Sequence, residues 1–169
     1  MSRLALVLCL VAALLAGCGE KDEDAADAPP PTTAAPAETK PAPESKPAPE
    51  PTGTEIVLGD SEFGSMLFND EKQAIYIFEK DSKDRTNCYG ECAAAWPPVF
   101  TDGEPKAGKG VRQSLLGTVK RRDGKLQVTY AGQPLYYYVN EAPGEVRCHN
   151  VNLNGGLWWV VGPDGKRRP

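Results

Sequence analysis

Sliding the second half of the chain back over the first by 60 positions sets Gln133 on Gln73, Leu135 on Ile75, Tyr136 on Tyr76, Tyr138 on Phe78, Glu141 on Asp81 and Cys148 on Cys88. Six chemically matched positions at one offset mark an internal repeat. The tail of each unit continues it more loosely, with Trp96 near the position of Trp158 after a two-residue shift. A unit this short cannot bury an apolar face by itself and must set it against its neighbour. The expected architecture is two related units, about 61–101 and 117–165, packed into one small domain over 54–169.

Both units read as β structure. AIYIF from Ala74 and PLYYYV from Pro134 are aromatic and β-branched, as are the runs TEIVL at Thr54, SMLF at Ser65, LQVTY at Leu126 and LWWVV at Leu157. Turn signals separate them at Asn69-Asp70, Asp123-Gly124, Ala131-Gly132 and Asp164-Gly165. One stretch departs from the pattern: Asn87 is placed to cap a short helix from Cys88 to Ala95, which Trp96-Pro97-Pro98 would end. The fold class expected is therefore all-β, mainly antiparallel, with two pseudo-repeats and one short helix.

The region before the domain has a different character. Arg3, an apolar run from Leu4 to Leu15, and Leu15-Ala16-Gly17-Cys18 form a bacterial lipoprotein export signal over 1–17. The run falls short of the roughly 20 residues a membrane-spanning helix needs. Cys18 is expected to become the acylated N-terminus, and three acyl chains exceed what stable membrane attachment requires. Gly19 follows it, where in lipoproteins generally an aspartate favours retention at the inner membrane, so an outer-membrane anchor is expected, or the outer face of a single membrane.

From residue 18 to 53 the chain is rich in Pro, Ala and Glu, and nine of its sixteen prolines lie between Pro29 and Pro51. Such a composition offers too little apolar area to offset ordering entropy and is expected to form a disordered, semi-rigid spacer. Between Glu20 and Gly53 there are eight acidic and three basic residues, whereas Thr54 to Pro169 carries fifteen of each. A neutral domain argues against nucleic acid as a partner. Two short basic clusters, Lys120-Arg121-Arg122 and Lys166-Arg167-Arg168, read as solvated loop and tail charges, contact with anionic lipid or polysaccharide being the alternative.

YIFEKD from Tyr76 to Asp81, CYGECAAAWPP from Cys88 to Pro98, then YAGQPLYYY and GGLWWVVGPDG, make the domain similar to the secreted-repeat bacterial lipoproteins with a Tyr-x-(Phe/Trp/Tyr)-x-x-Asp motif. The resemblance runs from about Thr54 to Gly165 and implies an architecture and an envelope location, with no reaction attached. The chain departs from the motif at Glu141, which replaces Asp, and at Cys148-His149, where a Gly-rich stretch is more usual.

The motif residues Tyr76, Phe78, Asp81, Tyr136, Tyr138 and Glu141, with Trp96 and Trp158, are expected to be structural. Asp81 opens DSKDRTN and can accept backbone N–H bonds in the turn leaving its strand, and Glu141, one methylene longer, should hold a looser turn. The aromatics are expected to pack within strands, a flat groove for a glycan or small apolar ligand being the alternative.

Cys88, Cys92 and Cys148 are an odd number of cysteines for an oxidising compartment, which points to one disulfide and one leftover thiol. On a regular helix Cys88 and Cys92 would keep their Cβ atoms about 5–6 Å apart, beyond disulfide reach. Either Gly90 distorts that turn or Cys148 pairs with one of the two. The family resemblance implies the bridge between Cys88 and Cys92. The alternative chemistry is a copper or zinc site from Cys88, Cys92, Cys148 and His149, although adjacent residues such as Cys148 and His149 seldom share one metal.

No cofactor is expected. His149 is the sole histidine, and no phosphate loop, nucleophile elbow or zinc-hydrolase motif is present, so an enzyme is not expected. The resulting expectation is a lipid-anchored envelope protein that binds or organises an envelope protein, a glycan or a small ligand, with redox or metal handling as the competing class.

Overall fold

The structure, a computed structural model, describes residues 52–169. The export signal, Cys18 and the Pro-rich stretch to Pro51 lie outside the described residues. The strands are β1 (Glu55–Ser61), β2 (Gly64–Asn69), β3 (Tyr76–Phe78), β4 (Lys106–Ala107), β5 (Leu116–Lys120), β6 (Leu126–Tyr130), β7 (Gln133–Pro134), β8 (Val151–Leu153) and β9 (Gly156–Val160), interrupted among the described residues by one α-helix, α1 (Glu91–Ala95), and one 3-10 turn (Gln113–Leu115). They form three small sheets, ordered β2-β1-β4, β3-β9-β8 and β5-β6-β7. Every pairing is antiparallel except that of β1 with β4.

The repeat is visible in the register. In the first hairpin Val57 faces Phe68 and Asp60 faces Ser65; in the second, Gly117 faces Thr129 and Lys120 faces Leu126. The offset is 60 on the first strand and 61 on the second because the later turn carries one extra residue.

The units do not merely press apolar faces together; they exchange strands. β3 of the first unit pairs with β9 of the second, Tyr76 opposite Val160 and Phe78 opposite Trp158. The reciprocal pairing joins the second unit's motif to the end of the first: Val99 N–H donates to Leu135 C=O at 2.9 Å and Tyr137 N–H to Pro97 C=O at 2.8 Å. Each motif strand is thus completed by the other unit.

The segment 74–78, which ends in β3, is buried on both faces, so it reads as a continuous apolar run. Ala74, Tyr76 and Phe78 point into one core with Trp96, Tyr136 and Trp158, while Ile75 and Ile77 point into a second with Ile56, Leu135 and Val161. PLYYYV behaves differently from the expected strand: regular pairing ends at Pro134, and only isolated bridges at Tyr136 continue it, one to Tyr76 and one to Pro98. The sequence patterns did not reveal β4, β5 or β8, whose residues are short or half-exposed.

The helix is also shorter than expected. It begins at Glu91, with Gly90 as its N-cap at φ 57°, and Cys88 lies before it. Asn87 does not cap it; its Nδ2 donates to Lys80 C=O at 2.6 Å instead. Gly90 turns the chain in a left-handed conformation that a side chain would disfavour, and that turn removes the helical separation between Cys88 and Cys92.

Candidate functional site

The motif residues meet at the junction of the units. Tyr76 and Tyr136 exchange backbone hydrogen bonds at 2.8 and 2.9 Å, which sets the two motifs antiparallel. From there each phenol reaches the acid of the other unit. Tyr136 Oη donates to Asp81 Oδ2 at 2.6 Å, and Tyr76 Oη donates to Glu141 Oε1 at 2.8 Å. The second oxygen of Asp81 accepts Asn87 N–H at 2.7 Å, as the turn reading anticipates. At the equivalent place Glu141 Oε1 accepts Arg147 N–H at 2.6 Å. Glu141 therefore holds its turn as closely as Asp81 does, contrary to the expectation of a looser turn, because the carboxylate sits buried between its phenol and its amide.

The aromatic positions cross in the same way. Phe78 stacks on Trp158 at 4.3 Å between centroids, Tyr138 lies on Trp96 at 4.6 Å, and the two indoles stack on each other at 3.8 Å and 1°. Tyr76 meets Trp96 edge-on and Tyr136 meets Trp158 edge-on. Both indole N–H groups are satisfied, Trp96 Nε1 by Asn154 Oδ1 at 3.0 Å and Trp158 Nε1 by Leu153 C=O at 2.9 Å. Both indoles are fully buried. The column is closed to a ligand, and Gly156 is part of the reason it closes: a Cβ there would stand 2.7 Å from Phe78 Cε2.

Burial sets the electrostatics. It raises the carboxyl of Asp81 to about 6, against the opposing pull of the Tyr136 and Asn87 hydrogen bonds and of Arg121. Glu141 is raised for the same first reason. Burial and the facing acids also hold the phenols of Tyr76 and Tyr136 well above the ordinary tyrosine range.

One charged residue was not legible as part of this cluster. Arg121 stands in a basic run that reads as solvated, yet it is 4% exposed. Its Nη1 donates to Gln127 Oε1 at 2.6 Å and to Thr86 Oγ1 at 3.0 Å, and its Nη2 donates to Cys88 C=O at 2.7 Å. Thr86 Oγ1 lies 2.5 Å from Tyr136 Oη. Because the phenol proton is given to Asp81, the threonine hydroxyl donates to the phenol, and a directed chain runs from guanidinium through Thr86 and Tyr136 to carboxylate. The buried cation is thereby matched to a carboxylate it does not touch.

Against this geometry, a protein-family model described as a secreted repeat of unknown function matches residues 58–100 and 117–162, more than half of the chain. The chain belongs to the secreted-repeat family. No curated protein and no solved structure matches it. The two matched segments are the two strand-exchanged units, so in this secreted-repeat domain each repeat is completed by the other.

The cysteines divide. Cys88 and Cys92 form a disulfide, with Cα atoms 5.3 Å apart. Cys148 is a free thiol, buried, and pushed up to about 12 by burial first and then by the charge and hydrogen bond of Glu141. His149 stacks against Phe63 at 4.3 Å, and its Nε2 lies 3.3 Å from Pro169 C=O. The bridge removes two of the four soft donors from metal binding, and among the described residues no group of three or more His, Cys, Asp or Glu is placed to hold a metal. No described helix is long and apolar enough to cross a membrane.

Proposed function

We propose that this secreted-repeat protein is a lipid-anchored envelope module that binds or organises another envelope component without catalysing a reaction. The observation that carries the reading is the engagement of both motif acids across the unit junction. Asp81 and Glu141 each accept a phenol from the opposite unit and a backbone N–H from their own turn. A general acid or nucleophile must present a proton or lone pair to substrate, whereas both oxygens of Asp81 and the carboxylate of Glu141 hold the bonds that join the units. Recognition then falls to the surface.

The anchor rests on Leu15-Ala16-Gly17-Cys18 behind Arg3, and Gly19 favours the outer membrane. The Pro-rich segment after it serves as the spacer that lets the domain work away from the bilayer. Membrane fractionation with mass spectrometry of the N-terminus tests the reading. The wild-type chain should carry acyl groups on Cys18 in the membrane fraction, and Cys18→Ser should be unprocessed or released. Unmodified Cys18 on mature, membrane-associated wild type refutes the anchor.

A further inference from the structure

Outside the motif cluster, the loop from Asp84 to Tyr89 and the end of β5 enclose a cleft of about 330 Å³. β5 is the terminal strand of its sheet, so this side of it has no strand partner. Arg85, Lys120 and Arg122 line the cleft, and none of them makes an ion pair among the described residues. Beyond its Thr86 wall lies the buried Arg121 guanidinium, whose Nε has no hydrogen-bond partner. Arg121 and Arg122 both lie over the Tyr89 ring, 4.3 and 3.8 Å from its centroid, which holds cationic groups beside the opening.

The repeat provides an internal comparison for these charges. Strand register places Asp60 where Lys120 stands, and the next residues in the two turns are Ser61 and Arg121, then Glu62 and Arg122. The matched carboxylate bonds of Asn87 and Arg147 place Glu145 where Arg85 stands. One scaffold therefore carries Lys, Arg, Arg and Arg in one unit and Asp, Ser, Glu and Glu in the other. At positions 85, 120 and 122 the fold accepts either sign, so packing does not account for these three cations, whereas Arg121 is held by its own buried hydrogen bonds.

We infer that this cleft binds an acidic polysaccharide, with its carboxylate or phosphate groups paired to Arg85, Lys120 and Arg122. Guanidinium and ammonium groups on one rim suit spaced anionic substituents, and Asp84 and Asn87 on the lining suit sugar hydroxyls. Tyr89 and Val119 are the lining's apolar side chains, which leaves no seat for an acyl chain, and the hydroxyl partners Asp84 and Asn87 favour a sugar polymer over bare lipid headgroups. The assignment rests on the binding-module reading above and gives it a ligand class.

The test is an NMR titration of the full mature chain in non-ionic detergent, at low salt, with tetragalacturonate and glucose 1-phosphate as probes and maltotetraose as the uncharged control. Saturable shifts are expected at the amides of 84–89 and 119–122 with at least one anionic probe and none with maltotetraose. Lys120→Glu with Arg122→Glu should weaken binding at least tenfold while the remaining spectrum stays folded, and Asp60→Ala with Glu62→Ala should leave it unchanged. Absence of saturable binding by both anionic probes overturns the proposal, as does binding that ignores the charge reversals. Retention of the unacylated mature chain carrying Cys18→Ser on dioleoylphosphatidylglycerol vesicles, lost in the charge reversals and without sugar binding, overturns it in favour of a lipid surface. Concentration-dependent self-association that the reversals abolish overturns it in favour of a second copy's acidic unit. Loss of the anchor at Cys18 would leave every one of these readouts intact, so the two readings fail separately.

Discussion

Tyr76 and Tyr136, at the same place in their two units, pair backbone to backbone at 2.8 and 2.9 Å and send their phenols in opposite directions to the acid of the other unit. An aromatic residue and an acid five positions apart in sequence are thus satisfied only across the repeat. A unit taken alone would lose the donor to its buried carboxylate, the stacking partner of its tryptophan and the strand beside its motif. Residues 54–104 and 105–169, expressed separately, are expected to lack dispersed amide spectra, and to regain them when mixed if the fragments associate. A dispersed spectrum from either fragment alone would contradict the exchanged architecture.

Removing one phenol oxygen isolates the cross-unit bond. Tyr136→Phe should lower the unfolding free energy by about 1–3 kcal/mol, because Asp81 and Thr86 both lose a buried partner. Tyr76→Phe should cost a similar amount through Glu141. Urea unfolding at pH 7 measures both, and changes within about 0.5 kcal/mol, the level of ordinary surface substitutions, would remove these bonds from the account.

Much of the scaffold was readable in advance because its signals are local or periodic. Matched Tyr, Phe and acid positions gave the repeat, and runs such as LQVTY gave β6 at Leu126–Tyr130. Strand exchange was not readable, since a buried strand shows the same apolar run whichever unit completes it. Arg121 was hidden for a related reason: its burial comes from Thr86, Gln127 and Cys88, up to 35 positions away, while its sequence neighbours Lys120 and Arg122 are exposed. The helix start was misplaced because Asn87 offers cap chemistry, and its contacts with Lys80 and Asp81 claimed it instead. Glu145 on Arg85 and Asp60 on Lys120 could have been seen by carrying the 60-residue offset into the polar positions.

The Trp96 and Trp158 stack is the tightest ring contact in the core. Trp158→Ala removes a fully buried indole that also touches Phe78 and Tyr136, and it should cost about 3–5 kcal/mol. Trp159→Ala, one residue on and half-buried against Arg167, is the comparison and should cost markedly less. Equal losses in denaturant unfolding would place the structural weight elsewhere.

Reduction of the disulfide should have a modest effect. The bridge spans a sequence separation of 4, and so short a loop removes at most about 2 kcal/mol of unfolded-state entropy. A loss of 3 kcal/mol or more on reduction would be inconsistent with a local bridge. Cys148, buried beside Glu141, should resist an aromatic disulfide reagent in the native domain and react once the domain unfolds. Rapid native reaction would mean that the unit junction opens.

The acids at that junction also set a pH response. Burial raises Asp81 to about 6 from the ordinary aspartate value, and Glu141 is raised in the same direction. The native state therefore binds protons more tightly than the unfolded chain, and the stability this contributes is fully present below the unfolded pKa, near 4, and is lost as pH rises through about 6. Allowing for the partial exposure of Asp81, its share should be about 1–2 kcal/mol. Other carboxylates contribute their own slopes, so the informative quantity is the difference between wild type and Asp81→Asn in urea unfolding from pH 4 to pH 7. Wild type should lose stability relative to the variant across that interval. Parallel profiles would show that the Tyr136 and Asn87 hydrogen bonds to Asp81 balance its desolvation, and a relative gain for wild type as pH rises would show that they outweigh it.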